Sequence, residues 1–245
     1  HILNNVKIPI MVCELKQSKK NIESFALISR FISLHKCQHL GIFGGGIIGD
    51  TAAFAAKENN IKFDLIPTTT LAMVDACVGG KCGVNMFPYG KNLIGRFAFP
   101  ECVIIHKDFL GTLTTRQFRA GIYEGLKHCI LSNDHQLFHE LLKAIELQDV
   151  TDDALLEVIK VKAEVIRQDA NETSIRATLN LGHTFAHALE AYAHSEDIDL
   201  MHGEAVLYGL IFAIELSKQA INTGDRLYEE QLHRLLEDEH LSTMS

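Results

Sequence analysis

The sequence predicts an α/β domain followed by an all-helical domain, and two observations support this division. Between about His39 and Thr70, short apolar runs alternate with a helical pattern of small residues, which is typical of parallel strands joined by crossover helices. From about Thr114 to the end, apolar residues recur at three- and four-residue steps and strand patterns disappear. We therefore expect an α/β domain over residues 1–110 and a helical domain over residues 111–245.

The elements of the first domain follow from local patterns. The run VKIPIMVCE is dense in Ile and Val and predicts a strand, and the amphipathic NIESFALISRFISLHKC predicts a helix. HLGIFGGG predicts a buried strand that runs into glycines, and IGDTAAFAAKEN predicts a helix of small residues. IKFDLIPTTT predicts the next strand, which ends at Pro67.

The second domain consists of apolar stretches with helical periodicity. The predicted helices are TTRQFRAGIYEGLKHCIL, HQLFHELLKAIEL, DDALLEVIKVKAEVIRQDA, IRATLNLGHTFAHALEAYAH and HGEAVLYGLIFAIELSKQAI.

Composition limits the possible classes of protein. The chain is 47% hydrophobic and 22% charged, which is ordinary for a soluble globular protein. Its net charge of -8 argues against a nucleic-acid partner, and no apolar run is long enough to span a bilayer. Because the chain begins without Met and without a charged, apolar leader, we expect no signal peptide, a cytoplasmic protein, and truncation at the ends.

The six cysteines form no C-x-x-C pair. We expect reduced thiols in a cytoplasmic protein, with a redox pair of Cys77 and Cys82 as the less favoured alternative.

Two strand ends carry residues suited to a nucleotide. GIFGGGIIGD follows a strand and opens a helix, so its backbone N–H groups could approach a phosphate closely. The spacing is not G-x-G-x-x-G, so a simple tight turn is the alternative. PTTTLAMVD adds hydroxyl groups at the end of the next strand, and ligands of parallel sheets lie beyond such ends, which favours the nucleotide site.

Lysines between glycines follow in VDACVGGKCGVNMFPYGKNLIG, a stretch with little hydrophobic periodicity. It is either a solvated loop or a set of tight turns that present Lys81 and Lys91 to an anionic ligand.

Histidines in predicted helices indicate a second site. His183 and His187 in LNLGHTFAHALEAY are four residues apart and so share one helical face. They are either hydrogen-bonded core residues or part of a metal site. With Glu124 and His202, one carboxylate and imidazoles from three predicted helices could form a zinc site with an open position.

Several segments of the chain resemble segments of the 3-dehydroquinate synthases, which belong to the wider sugar phosphate cyclases. These segments follow one another in the same order as in that family. The matching segments are GGGIIGD, IPTTTLAMVDACVGGKCGVN, GKNLIG, FLGTL, YEGLK, RATLNLGHTFAHALE and HGEAV. The resemblance implies an N-terminal, Rossmann-like NAD-binding α/β domain that lacks its first strand–helix unit here. It also implies an all-α C-terminal domain for metal and substrate that lacks its last helices.

The resemblance also implies roles for individual residues. Metal ligands would be Glu124, His183 and His202. Substrate-binding residues would be Asp75, Lys81, Lys91, Asn92, Lys127, Lys162, Arg176, Asn180 and His187. Of these, Lys81, Lys127, Lys162, Arg176, Asn180 and His187 would also be catalytic. Cofactor-binding residues would be Gly45, Gly46, Asp50, Thr68, Thr69, Asp75, Lys81, Lys91, Phe109, Thr112 and Leu113.

The implied activity is that of a phosphorus–oxygen lyase that uses NAD and zinc or cobalt. Its substrate would be a phosphorylated sugar acid, 3-deoxy-D-arabino-heptulosonate 7-phosphate, and its product 3-dehydroquinate, in the shikimate pathway. We expect a homodimer with neither a nucleic-acid nor a membrane partner. The alternatives are a cyclase for another seven-carbon sugar phosphate, an NAD- and metal-dependent alcohol dehydrogenase, and a non-catalytic relative.

Overall fold

A computed structural model describes residues 8–15, 19–86, 89–221 and 226–238 of the chain. Within this part, the chain divides into two compact units. The first unit extends to Thr68 and includes Gly80–His106, and the second comprises Thr69–Gly79 and the residues from Lys107 onward. The chain is thus an α/β unit with a parallel sheet and a helical unit, as the sequence predicts.

The first unit contains a parallel sheet covered by helices. Its elements are α1 (Ile22–Leu34), β1 (His39–Gly44), α2 (Gly46–Glu58), β2 (Lys62–Pro67), β3 (Lys81–Met86), β4 (Gly90–Phe97) and β5 (Cys102–Val103). Among the described residues, β2 pairs in parallel with both β1 and β5, and β3 pairs with β4 in an antiparallel hairpin. The small residues of α2 form a buried run from Thr51 to Ala56, which allows this helix to lie close to the strands.

One sequence prediction in this unit is wrong, and a second stretch is more regular than either alternative considered from the sequence. Of VKIPIMVCE, residues 6 and 7 lie outside the described part, and residues 8–14 form no strand. Ile8, Ile10 and Val12 are 62%, 47% and 92% exposed, so no part of the chain that the structure describes covers these apolar side chains. The glycine-rich stretch with Lys81 is not a loop but the β3–β4 hairpin, where close strand approach at Gly83 and Gly95 replaces side-chain packing.

The second unit is helical. It contains α3 (Thr115–Ser132), α4 (His135–Leu147), α5 (Asp152–Gln168), α6 (His183–Ser195), α7 (His202–Ile221) and α8 (Arg226–Asp238). Short turns complete it: a π-helix over Ala72–Ala76 and 3₁₀-helices over Lys107–Thr112 and Ile175–Asn180. None of the described helices is both long and apolar enough to cross a membrane.

Helix α3 crosses the interior of this unit. A capping box of Thr114 and Gln117 begins it, and Asn133 in the left-handed conformation ends it. Its residues from Ala120 to Cys129 are all buried. Any charged group on that stretch therefore lies away from water, which makes its partners informative.

The helix predicted from Ile175 to His194 is interrupted. Gly182 has φ +75° and lies between the 3₁₀-helix and α6. A Cβ on Gly209 of α7 would lie 2.2 Å from the Gly182 carbonyl oxygen, so α6 starts in direct backbone contact with α7. The sequence pattern missed this break because the apolar residues on either side keep a helical spacing.

The predicted domain boundary at residues 110 and 111 stays a prediction. The compact units differ from it in two respects. Thr69–Gly79 belongs to the helical unit rather than to the α/β unit, and the helical unit resumes at Lys107 rather than at residue 111. A Cβ on Gly121 of α3 would lie 2.3 Å from the Leu71 nitrogen, which shows how closely this segment packs on α3.

Candidate active site and metal centre

Three helices of the second unit bring Glu124, His183 and His202 together. His183 Nε2 lies 3.8 Å from Glu124 Oε1, and His202 Nε2 lies 4.0 Å from Glu124 Oε2. One ligand atom from each of the three residues lies within 4.8 Å of the other two. This proximity could not be predicted from spacing in the sequence, because the three residues are far apart along the chain.

Hydrogen bonds orient both imidazoles toward Glu124. His183 Nδ1–H donates to the Leu181 carbonyl oxygen at 3.1 Å, which leaves the Nε2 lone pair available. His202 Nδ1 lies 3.3 Å from the Glu190 carboxylate, the carboxylate–histidine arrangement that is common around zinc. Glu190 was not predicted from the sequence, although its position seven residues after His183 puts it on the same face of α6.

The donor set fits a divalent metal. Glu124 is fully buried, and its Oε2 has no hydrogen-bond partner among the described residues. A buried carboxylate oxygen without a partner is costly, and a metal ion would satisfy it. One carboxylate with two neutral imidazoles is a ligand set of catalytic zinc.

The charges around this cluster favour an ionised Glu124 and a neutral His183. Burial alone would raise the pKa of Glu124, but the Lys127 ammonium beside it lowers the pKa below its usual value. Burial lowers the pKa of His183, with Glu124 acting in the opposite direction. For His202 burial acts to lower the pKa, but the hydrogen bond to Glu190 and the charge of Glu124 raise it overall.

Buried lysines lie beside this cluster. Lys127 pairs with Glu124 Oε1, and both are almost completely buried. Lys162 Nζ donates to Asp75 Oδ1 at 2.5 Å and to the Asp75 carbonyl oxygen at 2.7 Å. Burial would raise the pKa of Asp75, but Lys162 and Lys127 outweigh it and hold this pKa well below its usual range. Two ammonium groups and two carboxylates therefore share one buried region.

His128 belongs to the same region and was not predicted from the sequence. It is fully buried, and neither ring nitrogen has a hydrogen-bond partner among the described residues. Its Nε2 lies 4.0 Å from Asp75 Oδ1. Burial, with the charge of Lys127 beside it, lowers the pKa of His128 to about 3, so the ring stays neutral at ordinary pH.

Arg176 is held by backbone carbonyl groups. It is 2% exposed, and its guanidinium donates to the Gly79 oxygen at 2.7 Å and to the Ala170 oxygen at 2.6 Å. The Asp169 carboxylate organises the loop before it by accepting from the N–H groups of Ser174 and Arg176. Asp169 is a further residue that sequence reasoning missed.

Two predicted substrate residues are more exposed. Asn180 donates to Glu172 Oε1 at 3.3 Å at the end of its 3₁₀-helix. The ring of His187 lies 5.4 Å from that of His183 and 6.2 Å from that of His202, measured between centroids. His187 thus borders the imidazole cluster from the exposed side of α6.

In the first unit, Lys20 connects two predicted ligand-binding residues. Its Nζ donates to Asp50 Oδ2 and to Asn92 Oδ1, each at 2.5 Å, and Lys20 is 5% exposed. A cavity of about 350 Å³ in the same unit is lined by Asp50, Lys81, Asn92 and Arg96, among others. Neither Lys20 nor Arg96 was predicted, because a lone cation in a sequence has no pattern that separates a buried partner from a surface charge.

The remaining predicted cofactor residues are distributed over both units. Gly45 and Gly46 begin α2, and the Thr68 N–H donates to the Gly44 oxygen at 3.0 Å. In the second unit, Thr69 Oγ1 accepts from the Ala72 N–H at 3.1 Å, and Phe109, Thr112 and Leu113 lie in or directly after a 3₁₀-helix. The backbone of Lys91 lies in β4, and its side chain is outside the part that the structure describes.

The fold is shared with solved cyclase structures. The 2-epi-5-epi-valiolone synthase of Streptomyces hygroscopicus, solved with NAD⁺ and Zn²⁺ bound, is 24% identical with a TM-score of 0.78 over 92% of this chain and 66% of that one. A 2-deoxy-scyllo-inosose synthase, complexed with carbaglucose-6-phosphate, NAD⁺ and Co²⁺, is 26% identical with a TM-score of 0.77 over 91% of this chain and 62% of that one. These likenesses define a cyclase-like architecture.

Family models identify the chain more narrowly. The family model described as 3-dehydroquinate synthase N-terminal matches residues 10–120, and the one described as 3-dehydroquinate synthase C-terminal matches residues 121–244. The chain therefore belongs to the 3-dehydroquinate synthase family.

Curated relatives carry the same family name. The 3-dehydroquinate synthase of Prochlorococcus marinus is 40% identical over 91% of this chain and 64% of that protein. That of Legionella pneumophila strain Lens is 40% identical over 96% of this chain and 65% of that protein. The chain thus spans less than two thirds of the length of these curated relatives.

Proposed function

We propose that the protein is a 3-dehydroquinate synthase, which converts 3-deoxy-D-arabino-heptulosonate 7-phosphate to 3-dehydroquinate and phosphate. It would do so in the shikimate pathway, with NAD and a divalent metal. The observation that carries this proposal is the buried cluster of Glu124, His183 and His202 beside the ammonium groups of Lys127 and Lys162. The names of relatives about 40% identical support the choice of substrate.

Glu124, His183 and His202 are the residues that would hold the metal. Glu124 Oε2, which accepts no hydrogen bond within the described part of the chain, and the two oriented imidazoles supply the donor atoms. Bound zinc or cobalt would polarise the alcohol and carbonyl groups of the substrate, while NAD would accept and later return a hydride.

The lysines and Arg176 would bind the anionic substrate. The substrate carries a carboxylate and a phosphate, so it needs fixed cations in a protein whose net charge is -8. Lys127 and Lys162 are already held in place by Glu124 and Asp75, so they lose little side-chain entropy when substrate arrives. Asn180 and His187, at the exposed side, would complete the substrate site.

Cofactor contacts would come from the glycine turn before α2 and from the residues around Lys20. The start of α2 at Gly45 and Gly46 suits a pyrophosphate, because the first N–H groups of a helix have no intrahelical acceptor. Asp50, tied to Lys20, would be positioned to accept from a ribose hydroxyl. Thr68, Thr69, Lys81, Phe109, Thr112 and Leu113 would contribute the remaining contacts.

A cyclase that acts on a sugar phosphate without the carboxylate is the second candidate. The TM-scores of 0.78 and 0.77 to the valiolone and inosose synthases favour it, since those proteins share this fold. Their identities of 24% and 26% are well below the 40% of the curated 3-dehydroquinate synthases, which favours the first proposal.

Phosphate release is the deciding experiment. The full-length protein would be supplied with NAD, zinc and 3-deoxy-D-arabino-heptulosonate 7-phosphate, and phosphate and NADH absorbance would be followed together. Phosphate without net NADH is the expected result, because the hydride is taken and returned. Accumulating NADH without phosphate would instead identify an alcohol dehydrogenase, and release from a carboxylate-free sugar phosphate alone would identify the second candidate.

Two lysines of α5 provide a matched pair of variants for this assay. Lys162 is 8% exposed and bound to Asp75, whereas Lys160 pairs with Glu157 at the surface. We expect Lys162→Met to lower kcat/KM by at least about 100-fold, roughly the loss of two charge-assisted hydrogen bonds. Lys160→Met should leave it within about two-fold. Equal losses in the two variants would remove Lys162 from the site.

We also propose that the protein is a cytoplasmic homodimer. The location is supported by the unpaired cysteines. Light scattering of the full-length protein would give the mass of the assembly, and a monomeric mass would contradict the proposal. Cell fractionation would test the location.

A further inference from the structure

A partly buried ion pair connects the first turns of α3 and α7. Arg116 Nε donates to Glu204 Oε1 at 2.5 Å, and Arg116 Nη2 donates to Glu204 Oε2 at 2.7 Å. This is the two-pronged geometry in which a guanidinium binds a carboxylate most specifically. Nη1 and Nη2 also donate to the side chain and the carbonyl oxygen of Asp199, so Arg116 holds the segment that leads into α7 as well.

Glu204 uses the same carboxylate to close the first turn of α7. Its Oε2 accepts from the Met201 N–H at 2.8 Å, one half of a capping box. Glu204 is 4% exposed, so its charge is nearly removed from water and depends on Arg116 for compensation. His202 is the first residue of this turn. Whatever fixes the turn therefore fixes the backbone of His202.

These contacts form one continuous seam between the two helices. Positions 116, 120 and 124 are four residues apart and lie along one side of α3. These positions contact three successive residues of α7. Arg116 binds Glu204, and Glu124 lies 4.0 Å from His202. Between these two contacts, a Cβ on Gly203 would lie 1.7 Å from the Ala120 oxygen. We call this set the α3–α7 seam. It contains Arg116, Ala120, Glu124, His202, Gly203 and Glu204.

We propose that Arg116 and Glu204 are positioning residues of the metal centre. By fixing one end of the α3–α7 seam, they hold His202 Nε2 at its distance from Glu124. Neither residue contacts the donor atoms, so both act through the backbone of α7. This inference rests on the proposed metal site and adds the residues that set its geometry.

A second arginine–glutamate pair serves as a control, because it has the same two-pronged geometry as Arg116–Glu204 but lies away from the α3–α7 seam. Arg167 donates to both oxygens of Glu164, at 2.8 and 2.7 Å. That pair is exposed and lies within α5, three residues apart, so it connects no two elements. A loss of fork geometry there should have no effect on metal binding.

Zinc affinity of the full-length protein tests the proposal. It would be measured by competition with a chromophoric chelator for the wild type, Arg116→Lys, Arg116→Met, Glu204→Gln and the double variant Arg116→Met/Glu204→Gln. Arg167→Met is the control. We expect the affinity to fall by about ten-fold or more in each Arg116 and Glu204 variant, the usual scale for residues that orient ligands. The double variant should lose little more than the single variants, because the pair acts as a unit.

A second readout separates positioning from general stability. Cobalt(II) bound in place of zinc has visible absorption bands that depend on ligand geometry, and we expect these bands to change in Arg116→Lys but not in Arg167→Met. Arg116→Lys keeps the charge and so guards against a variant that fails to fold, which circular dichroism of the metal-free protein would reveal.

Each outcome has a distinct meaning. Zinc affinities within about two-fold of wild type in all Arg116 and Glu204 variants, with unchanged cobalt spectra, would overturn the positioning role and leave the metal site intact. Equal weakening in Arg167→Met would also overturn it. A wild-type protein that binds no zinc would contradict the proposed metal site itself, and the inference would fall with it.

Discussion

Two histidines one helical turn apart have different surroundings. His183 Nε2 lies 3.8 Å from Glu124, and its other nitrogen is held by the Leu181 oxygen. His187 is exposed and borders the cluster through ring contacts. At the scale of single residues, burial and distance to Glu124, rather than spacing along the helix, separate the proposed metal ligand His183 from the proposed substrate contact His187.

This difference predicts opposite results for two alanine variants of α6. His183→Ala should weaken zinc binding by at least about 100-fold, since only two ligands remain. His187→Ala should change zinc affinity by less than about three-fold and still lower phosphate release. Chelator competition measures zinc affinity, and the phosphate assay measures turnover. Loss of zinc from His187→Ala with zinc retained in His183→Ala would show that His187 rather than His183 is the metal ligand.

His128 links a single buried ring to the stability of the whole chain. The unfolded chain would bind a proton on this ring near the ordinary histidine pKa of 6.5, whereas the folded chain does so only near about 3. Because the unfolded state then binds more protons, the free energy of unfolding falls as pH falls from about 6.5 toward 3.

We expect this slope to disappear in His128→Leu. Between pH 5.5 and 4, the wild type should lose up to about 1.4 kcal/mol more per pH unit than the variant, the value for one proton. Urea unfolding in the presence of a chelator measures this without a contribution from metal release. His139→Leu, at an exposed position of α4, is the control. Parallel pH slopes for wild type and His128→Leu would disprove the assignment.

At the scale of elements, glycines allow the helices that carry Glu124, His183 and His202 to meet. Gly203 follows His202 and contacts the backbone of α3, and Gly182 precedes His183 and contacts Gly209 of α7. Each close approach is adjacent in sequence to a predicted metal ligand. Close packing of α7 on α3 and on α6 accompanies the convergence of Glu124, His183 and His202.

Gly203→Ala should therefore separate α3 from α7. The added methyl group would lie 1.7 Å from the Ala120 oxygen, and we expect a loss of about 2–3 kcal/mol in stability together with weaker zinc binding. Gly49→Ala is the matched control, because it is also helical but has nothing within 4 Å of the new Cβ. It should be neutral or stabilising by up to about 1 kcal/mol. Thermal unfolding of both variants measures the difference.

At the scale of the whole molecule, some cationic side chains and some thiols are buried while others are exposed. The chain has a net charge of -8, yet Lys127, Lys162 and Arg176 are buried in the helical unit. Burial also raises the pKa of Cys77 to about 12 and that of Cys82 to about 11. Both thiols therefore stay protonated at neutral pH, which disfavours the redox pair considered from the sequence.

The order in which the cysteines react with a thiol reagent should follow their exposure. With limiting iodoacetamide at pH 7.5, Cys102 should react first because it is exposed, and Cys77, Cys82 and Cys129 should react only after unfolding. Peptide mass spectrometry gives the order. Rapid labelling of Cys77 or Cys82 in the native protein would show that these thiols are not buried as described.

Periodicity along the chain was enough to predict most elements and the fold class. The parallel β1–β2 pair and helices α3, α4, α5 and α7 lie close to where apolar spacing predicts them, because a buried face must repeat at the period of its element. The strand predicted over residues 6–14 and the uninterrupted helix over 175–194 failed for the same reason. Local spacing does not reveal whether a covering surface or a close backbone neighbour exists.

The motif residues of the candidate site were found from the sequence, but the contacts between them and their partners were not. Glu124, His183 and His202 stand in recognisable motifs. Glu190 and Glu204 stand in the same motif segments, but the sequence assigned them no role, and His128 and Arg116 are ordinary letters in helical patterns. Arg116 and Glu204 are separated by 88 residues, and only packing of α3 on α7 brings their charges to hydrogen-bond distance. The sequence by itself determined which residues are candidate metal ligands. Only the tertiary structure decided which other groups orient those residues, neutralise their charge and fix their position, because these effects depend on distance in space.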